Sequence, residues 1–422
     1  MSSAVEFAYP APSAAQSIEQ SLAKLAARDG TEPVDFRGRL SALGELSRLI
    51  LAPGSGLRDR LPREGLAFLA SFLDGDFLLG QIARELRDVG TLSGFVRIHS
   101  RKSVRTVPKG LVCHWVAGNV PLLAVFSWAM SAVLGNRNFV RLSARQGDVL
   151  SPLLDALHGI SDAGARMAEE THVVWFDRHN REAHEAMSRA ADVRIAWGGR
   201  EAVDSIRDLP ASWHCEDVTF GPRFSLAVID PEVIDAGGIR RLATDIAVFD
   251  QLACSSPQYV FVKGARGSAG FKAFLDAFNA AFAQQSRAYR RHALDFGETY
   301  RIVLDRARAL LDGGEVFHDA RTEWTVVAAD APNAALDCAN RFVQVIPFER
   351  LEDVYPHIPR NVQTVVTRLA PADAERFTER AAHLGVCRFP APGEGNHFEN
   401  PWDGVGLVSR LTRSVVRTDA GD

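Results

Sequence analysis

The apolar positions along the chain follow two regimes. From 17 to 90 they recur at helical spacing, with Leu22, Leu25 and Ala26 on one stretch and Leu40, Leu43, Leu46 and Ile50 on the next. That rhythm predicts amphipathic helices. From 107 onward strands and helices alternate. A strand over 111–116 leads through Ala117-Gly118-Asn119 into an apolar helix starting at Pro121, a favourable first helical residue. Strand 138–142, a helix marked by Val149, Leu150, Leu153, Leu154 and Leu157, and strand 172–176 come next. A polar helix, strand 192–197 and Gly198-Gly199 opening another helix complete the series. The alternation predicts an α/β fold with a doubly wound parallel sheet.

A second α/β unit is expected from 221. Strand 224–229 precedes a helix carrying Ile239, Leu242, Ile246 and Phe249, and Cys254-Ser255-Ser256-Pro257 breaks it before strand 259–262. Phe271, Phe274, Leu275, Phe278 and Phe282 mark a helix with its aromatic side inward, a core feature rather than a substrate box. Between the two regimes, Arg97, Arg101, Lys102, Arg105 and Lys109 suit the exposed face of a hairpin. The plain reading is a solvated ribbon; the functional alternative is a patch for the phosphates of coenzyme A or a carrier protein. Short strands are expected at 385–388 and 413–417 around a Gly-rich loop. The resulting divisions are 1–106, helical with the hairpin; 107–220, the first α/β unit; 221–384, the second; and 385–422, a C-terminal segment.

Composition narrows the class by exclusion. The 422 residues allow two or three domains, and 46% hydrophobic with 24% charged residues is ordinary for a globular chain. A formal net charge of -4 gives no reason to expect nucleic acid as a partner. Five cysteines without regular spacing make no disulfide framework, and reduced thiols in the cytoplasm are the expectation. Residues 1–16 hold no Lys or Arg and no continuous apolar core, so they read as a frayed tail and not a secretory signal. The most apolar stretch, 122–134, falls short of the roughly 20 residues of a membrane span and reads as a buried helix.

Cys254 is the sharpest candidate for chemistry, because it sits where helical periodicity has stopped and the strand has not begun. Small neighbours admit a substrate carbonyl, although a thiol of pKa about 8.5 needs help to ionise. Cys113, Cys215, Cys338 and Cys387 lack such a break and read as structural. Asn119, at the mouth of the first parallel strand, has an amide N–H suited to an oxyanion, though Asn also fills turns often. Gly198-Gly199 suits close approach of a phosphate at a helix N-terminus, but no G-x-G-x-x-G is present. His114, His179 and His397 are too scattered for a metal set.

Taken in order, these residues resemble the aldehyde dehydrogenase superfamily. Within it, the chain looks most like the acyl-CoA reductase branch typified by the long-chain fatty acyl-CoA reductase of bacterial bioluminescence. The resemblance runs over roughly residues 105–415 and is strongest in three places. Trp115 to Ser143, with Asn119-Val120-Pro121 and Gly135-Asn136, is similar to the Asn-bearing loop, helix and cofactor strand. Asp250 to Gln258 resembles the cysteine loop, and Ala196-Trp197-Gly198-Gly199 the turn facing the dinucleotide. The fold so implied has two doubly wound domains, NADP-binding over 107–220 and catalytic over 221–384, with a small bridging element over 385–422 for oligomerisation. The resemblance also implies that Cys254 is the nucleophile and that Asn119 with the Cys254 N–H forms the oxyanion hole. It puts Arg141 at the adenosine ribose and Gly198-Gly199 beside the pyrophosphate. Ser143 and Arg145 join this cofactor set, and Ala144 stands where NAD-selective members carry an acidic residue, which implies NADPH.

One departure bears on the reaction. Thr219-Phe220-Gly221-Pro222-Arg223 occupies the place of the family's Glu-Leu-Gly-Gly-Lys. A threonine cannot activate water, so the register favours thioester reduction over aldehyde oxidation. The expected enzyme reduces an acyl-CoA or acyl-carrier thioester to the aldehyde through an acyl group on Cys254. An acyl-transferring or acyl-activating partner enzyme and a homo-oligomer go with it. The alternatives are NAD(P)-dependent aldehyde oxidation and a non-catalytic subunit that relays acyl groups on Cys254.

Overall fold

The structure, a computed structural model, describes residues 5–10, 17–27, 33–62, 65–118, 120, 122–143, 147–289, 291–336 and 339–418. The chain divides into two compact units, Met1–Gly221 with Phe398–Asp422, and Pro222–His397.

In the first unit, β1 (Glu6–Tyr9) precedes the helices Ile18–Ala26, Phe36–Leu51, Leu66–Leu73 and Gly75–Ala83. Side chains cap several of them: Ser17 and Gln20 form a capping box, and Asp35 and Asp74 accept from first-turn N–H groups. The hairpin strands β2 (Val96–His99) and β3 (Lys102–Pro108) follow. Next come β4 (Leu111–Trp115), β5 (Arg137–Leu142), β6 (Thr171–Trp175), β7 (Val193–Trp197) and β8 (Glu216–Phe220). The sheet order is β1-β6-β5-β4-β7-β8. β4 to β8 run parallel, while β1 lies antiparallel on β6. Because the chain winds outward from β4 to β6 and then returns to the other side of β4 for β7, the order reverses between β4 and β7. The helix Leu123–Val133, linking β4 to β5, is buried at every residue from Ala124 to Val133. It packs on the helices Phe36–Leu51 and Leu66–Leu73 as well as on the sheet, so its apolar sequence is covered on all sides.

The second unit holds β9 (Phe224–Ile229), β10 (Tyr259–Lys263), β11 (Glu315–His318), β12 (Thr325–Ala328), β13 (Phe342–Phe348) and β14 (Val362–Arg368) in the order β11-β12-β13-β10-β9-β14. All pairs are parallel except β11 with β12. The aromatic residues Phe271, Phe274, Phe278 and Phe282 of helix Ala269–Ala288 lie in the core with Ile246, Val260 and Val345. β15 (Thr412–Thr418) belongs to the first unit and extends the hairpin to a three-stranded sheet, β15-β3-β2.

Several sequence expectations need correction. The frayed tail contains β1, whose Tyr9 is buried, because the outer edge of β6 offers unpaired backbone groups to it. The sheets are therefore mixed at one edge each. Residues 385–388 form no strand beyond a bridge from Arg388 to Thr364, whereas 413–417 do lie within β15. The apolar helix starts at Leu123, and Pro121 lies outside the described residues. Phe249 falls beyond its helix, which ends at Ala247. Lys109 is not a bare cation on a ribbon, since it pairs with Glu216. Among the described residues no single helix is long and apolar enough to cross a membrane. Leu66–Leu73 and Gly75–Ala83 reach that composition only as a pair, bent by 63°.

Candidate active site

Helix Ala236–Ala247 delivers the chain to the cysteine loop through Phe249, Asp250 and Gln251, at φ 54°, 52° and 62°. Three consecutive non-glycine residues in the left-handed region are costly, at about 1–3 kcal/mol each. Tertiary contacts hold them there. Asp250 pairs with Arg341 at 2.6 Å and with Nδ1 of His292 at 2.5 Å. The Gln251 side chain accepts from Phe342 N at 2.8 Å and donates to the Pro257 carbonyl at 2.9 Å, bracketing the loop. The Ser225 hydroxyl, at the start of β9, donates to the Cys254 carbonyl at 2.7 Å. Ser255 and Ser256 both donate to Oδ1 of Asn396, at 2.7 and 3.3 Å. Cys254 is half-buried at the N-terminal edge of β10, between these anchors.

The other described cysteines differ in setting. Burial pushes the Cys113 thiol well up, and it pushes Cys215 up to about 11 despite the nearby Arg194. Both are poor thiolate sources near neutral pH. Cys387 is exposed, and Cys338 lies outside the described residues.

In the first unit, the reversal of strand order puts the carboxyl ends of β4 and β7 where doubly wound sheets hold ligands. β4 ends at Trp115, and Asn119, Ala144 and Arg145 lie outside the described residues. β7 ends at Trp197 and runs into Gly198-Gly199. Gly199 is the N-cap of helix Arg200–Arg207, without a side-chain cap, and a Cβ there would meet nothing within 4 Å. The helix therefore offers open N–H groups to an anion.

Arg141 emerges near the end of β5. It donates to the Phe176 carbonyl at 3.0 Å, and its Nε is buried without a hydrogen-bond partner among the described residues. Burial lowers its pKa, opposed by Asp177. A buried, incompletely satisfied guanidinium suits a ligand oxyanion. Beside it, Trp115 Nε1 donates to Nδ1 of His184 at 2.8 Å, with the two ring planes within 11° of each other. Burial, reinforced by Arg141, pushes His184 down to about 4, so it is a neutral acceptor. Ser143 is half-buried just beyond β5. These groups fit a dinucleotide.

Thr219 is half-buried in β8, opposite Ala196 of β7, between the buried Val218 and Phe220. No three or more His, Cys, Asp or Glu gather as a metal site among the described residues. His114 is instead a core residue, bonded to Ser127 at 2.8 Å and Asn138 at 3.0 Å. Sequence reasoning missed Ser225, Gln251, Asn396 and His184, since each matters through a partner far along the chain. The glycines just before Asn396, Gly393 and Gly395, were the available signal.

The profile of the family described as Acyl-CoA reductase (LuxC) matches residues 51–414. The chain is similar to the long-chain acyl-protein thioester reductase of Aliivibrio fischeri, 25% identical over 317 residues, covering 74% of this chain and 64% of the relative. The protein of the same name in Vibrio harveyi is 23% identical over 319 residues, covering 74% and 65%. The matched region thus spans just under two thirds of the length of these relatives. Among solved structures, aldehyde dehydrogenase 21 of Physcomitrella patens superposes with a TM-score of 0.68 at 14% identity, covering 95% of this chain and 89% of that one. The putative aldehyde dehydrogenase PutA of Anabaena variabilis gives 0.66 at 13% identity, covering 96% and 92%. The fold is aldehyde dehydrogenase-like.

Proposed function

The chain belongs to the acyl-CoA reductase (LuxC) family, and on that premise we propose that it reduces an acyl thioester to the aldehyde with NADPH, through an acyl group carried on Cys254. The observation that carries this reading is the anchored, left-handed run that ends at Gln251 and presents Cys254. Strain of this kind concentrates at functional sites, because the surrounding structure must hold it in place.

The Cys254 thiolate attacks the thioester carbonyl, the carrier thiolate leaves and takes up a proton, and a new thioester joins the acyl group to Sγ. Asn119 and the Cys254 N–H are the donors for the tetrahedral oxyanion in this reading. Arg141, Ser143, Arg145 and the open turn Gly198-Gly199 would hold the dinucleotide. When bound, NADPH supplies the hydride that takes the acyl carbon to the aldehyde level. Release of the aldehyde returns the Cys254 thiolate. Thr219 offers no base for water, so hydrolysis to the free acid is not promoted. The enzyme works in the cytoplasm as a homo-oligomer, drawing its thioester from coenzyme A, a carrier protein or an acyl-transferring partner enzyme.

The test is a panel of acyl-CoA thioesters scored by loss of NADPH absorbance, paired with intact-protein mass spectrometry in the absence of cofactor. Wild type is expected to oxidise NADPH and to gain one acyl mass, and Cys254→Ser to do neither while remaining folded. Acyl mass on another cysteine, or NADPH oxidation by the variant, would overturn the assignment.

A further inference from the structure

Asn396 lies within the second unit, well outside the cysteine loop in sequence, yet it is the partner of both residues that follow the nucleophile. Its amide orientation is dictated on both sides. Nδ2 donates to the Asp245 carbonyl at 2.7 Å, near the end of helix Ala236–Ala247. Oδ1 must then accept, and it takes the hydroxyl protons of Ser255 and Ser256 together. All four residues are buried: Asp245 is 1% exposed, Asn396 5%, Ser255 2% and Ser256 0%. Bulk water is thus excluded as a substitute partner, and an unmade bond here leaves a buried donor unsatisfied.

The loop carrying Asn396 is itself built around Asp245. The carboxylate accepts from Gly393 N at 2.7 Å and from Gly395 N at 3.2 Å. Gly393 has φ 98°, and a Cβ on Gly395 would lie 3.1 Å from the Asp245 carboxyl carbon, so the loop approaches this closely only as glycine. Arg388 grips the same loop from the carbonyls of Gly395 and His397, at 3.2 and 3.0 Å. Asn396 is therefore a fixed post. Gln251 and Ser225 hold the loop at the Pro257 and Cys254 carbonyls, whereas the hydroxyls of Ser255 and Ser256, among the described residues, both bond to Asn396.

We propose that Asn396 is a positioning residue for the nucleophile: by holding Ser255 and Ser256 through one amide oxygen, it fixes the backbone direction at Cys254 and hence the aim of its sulfur. The inference rests on Cys254 being the nucleophile of the proposed reaction, but its test needs no substrate. Iodoacetamide alkylation is followed by peptide mass spectrometry, reading Cys254, the exposed Cys387 and the buried Cys113 in the same sample.

Asn396→Leu, which keeps the bulk and removes both hydrogen-bonding atoms, is expected to slow Cys254 alkylation about 10-fold, the scale of losing partners for two buried hydroxyls. Cys387 should be unchanged and Cys113 still protected, which separates misaim from unfolding. Ser255→Ala/Ser256→Ala should slow Cys254 by a similar factor, and adding Asn396→Leu to that pair should slow it no further. In steady state with an acyl-CoA, kcat should fall while KM stays near wild type. If Asn396→Leu exposes Cys113, the Ser255→Ala/Ser256→Ala pair alone decides the matter. Unchanged Cys254 alkylation in whichever variant stays folded, or additive losses in the combination, would overturn the proposal. Absence of NADPH oxidation by wild type would instead count against the reductase reading and leave the alkylation result standing.

Discussion

The guanidinium of Arg141 lies 5.4 Å from the ring centroid of Phe176 and donates to the carbonyl of that same residue at 3.0 Å, leaving its Nε buried without a partner among the described residues. Fixed from one side, the group keeps donor capacity for a ligand on the other. Arg141→Ala should weaken NADPH binding by about 10-fold or more, the worth of a charge-assisted bond, and should weaken NADH binding less. Titration calorimetry with both cofactors measures this. Equal losses would mean that Arg141 does not meet the 2′-phosphate, and no loss would remove it from the cofactor site.

Asn119 carries a prediction from the sequence alone. Asn119→Ala should lower kcat by about 10²–10³, the usual effect of removing one oxyanion donor, with cofactor affinity nearly unchanged. A near-normal kcat in the folded variant would return Asn119 to the role of a turn residue.

Thr219 tests the direction of the chemistry. Thr219→Glu supplies the carboxylate that this register lacks, and general-base help is worth about 10²–10⁴. The ratio of free acid to aldehyde from one acyl-CoA should rise. Burial will raise the pKa of the new carboxyl, so the rise should be larger at higher pH. A variant that still acylates Cys254 yet makes no more acid at any pH would show that Thr219 is not the position of the missing base.

The two units should respond oppositely to pH. His114, His172 and His184 of the first unit are each pushed down to about 4, chiefly by burial, with Lys24 adding at His172 and Arg141 at His184. They are neutral in the fold. Their contribution is therefore complete above about 6.5 and is lost as pH falls toward 4. Asp245 of the second unit is pushed up to about 7 by burial, against the N–H groups of Gly393 and Gly395 and the charge of Arg388. Its contribution is complete below 3.8 and is lost as pH rises toward 7. Between pH 4 and 6.5 the histidines prevail, so denaturation midpoints should rise with pH. His114→Asn should flatten that rise and Asp245→Asn should steepen it. Slopes unchanged by both substitutions would contradict these protonation states.

Much of the fold was legible in the chain because its determinants are local. Period and punctuation located β9 at 224–229 without error and the parallel strands β4 to β7 to within a residue at each end, since a buried parallel strand is a short apolar run between turn residues. The break at Cys254 was visible for the same reason. β1 was not visible, because four residues have no preference of their own strong enough to mark a strand. They become one by completing the open edge of β6. The left-handed conformation of Phe249, Asp250 and Gln251 was equally hidden, as nothing in those side chains favours it. It exists because Arg341, His292 and Phe342, about 40 to 90 residues further along, hold it there. Asn396 became relevant only when a glycine-lined loop wrapped Asp245 and came within bonding distance of Ser255. The sequence by itself determined most of the elements, the nucleophile candidate and the family likeness, all of which reside in contiguous residues. Which groups aim the nucleophile was decided only by tertiary structure, because a hydrogen bond across 141 residues is a property of packing and not of any local pattern.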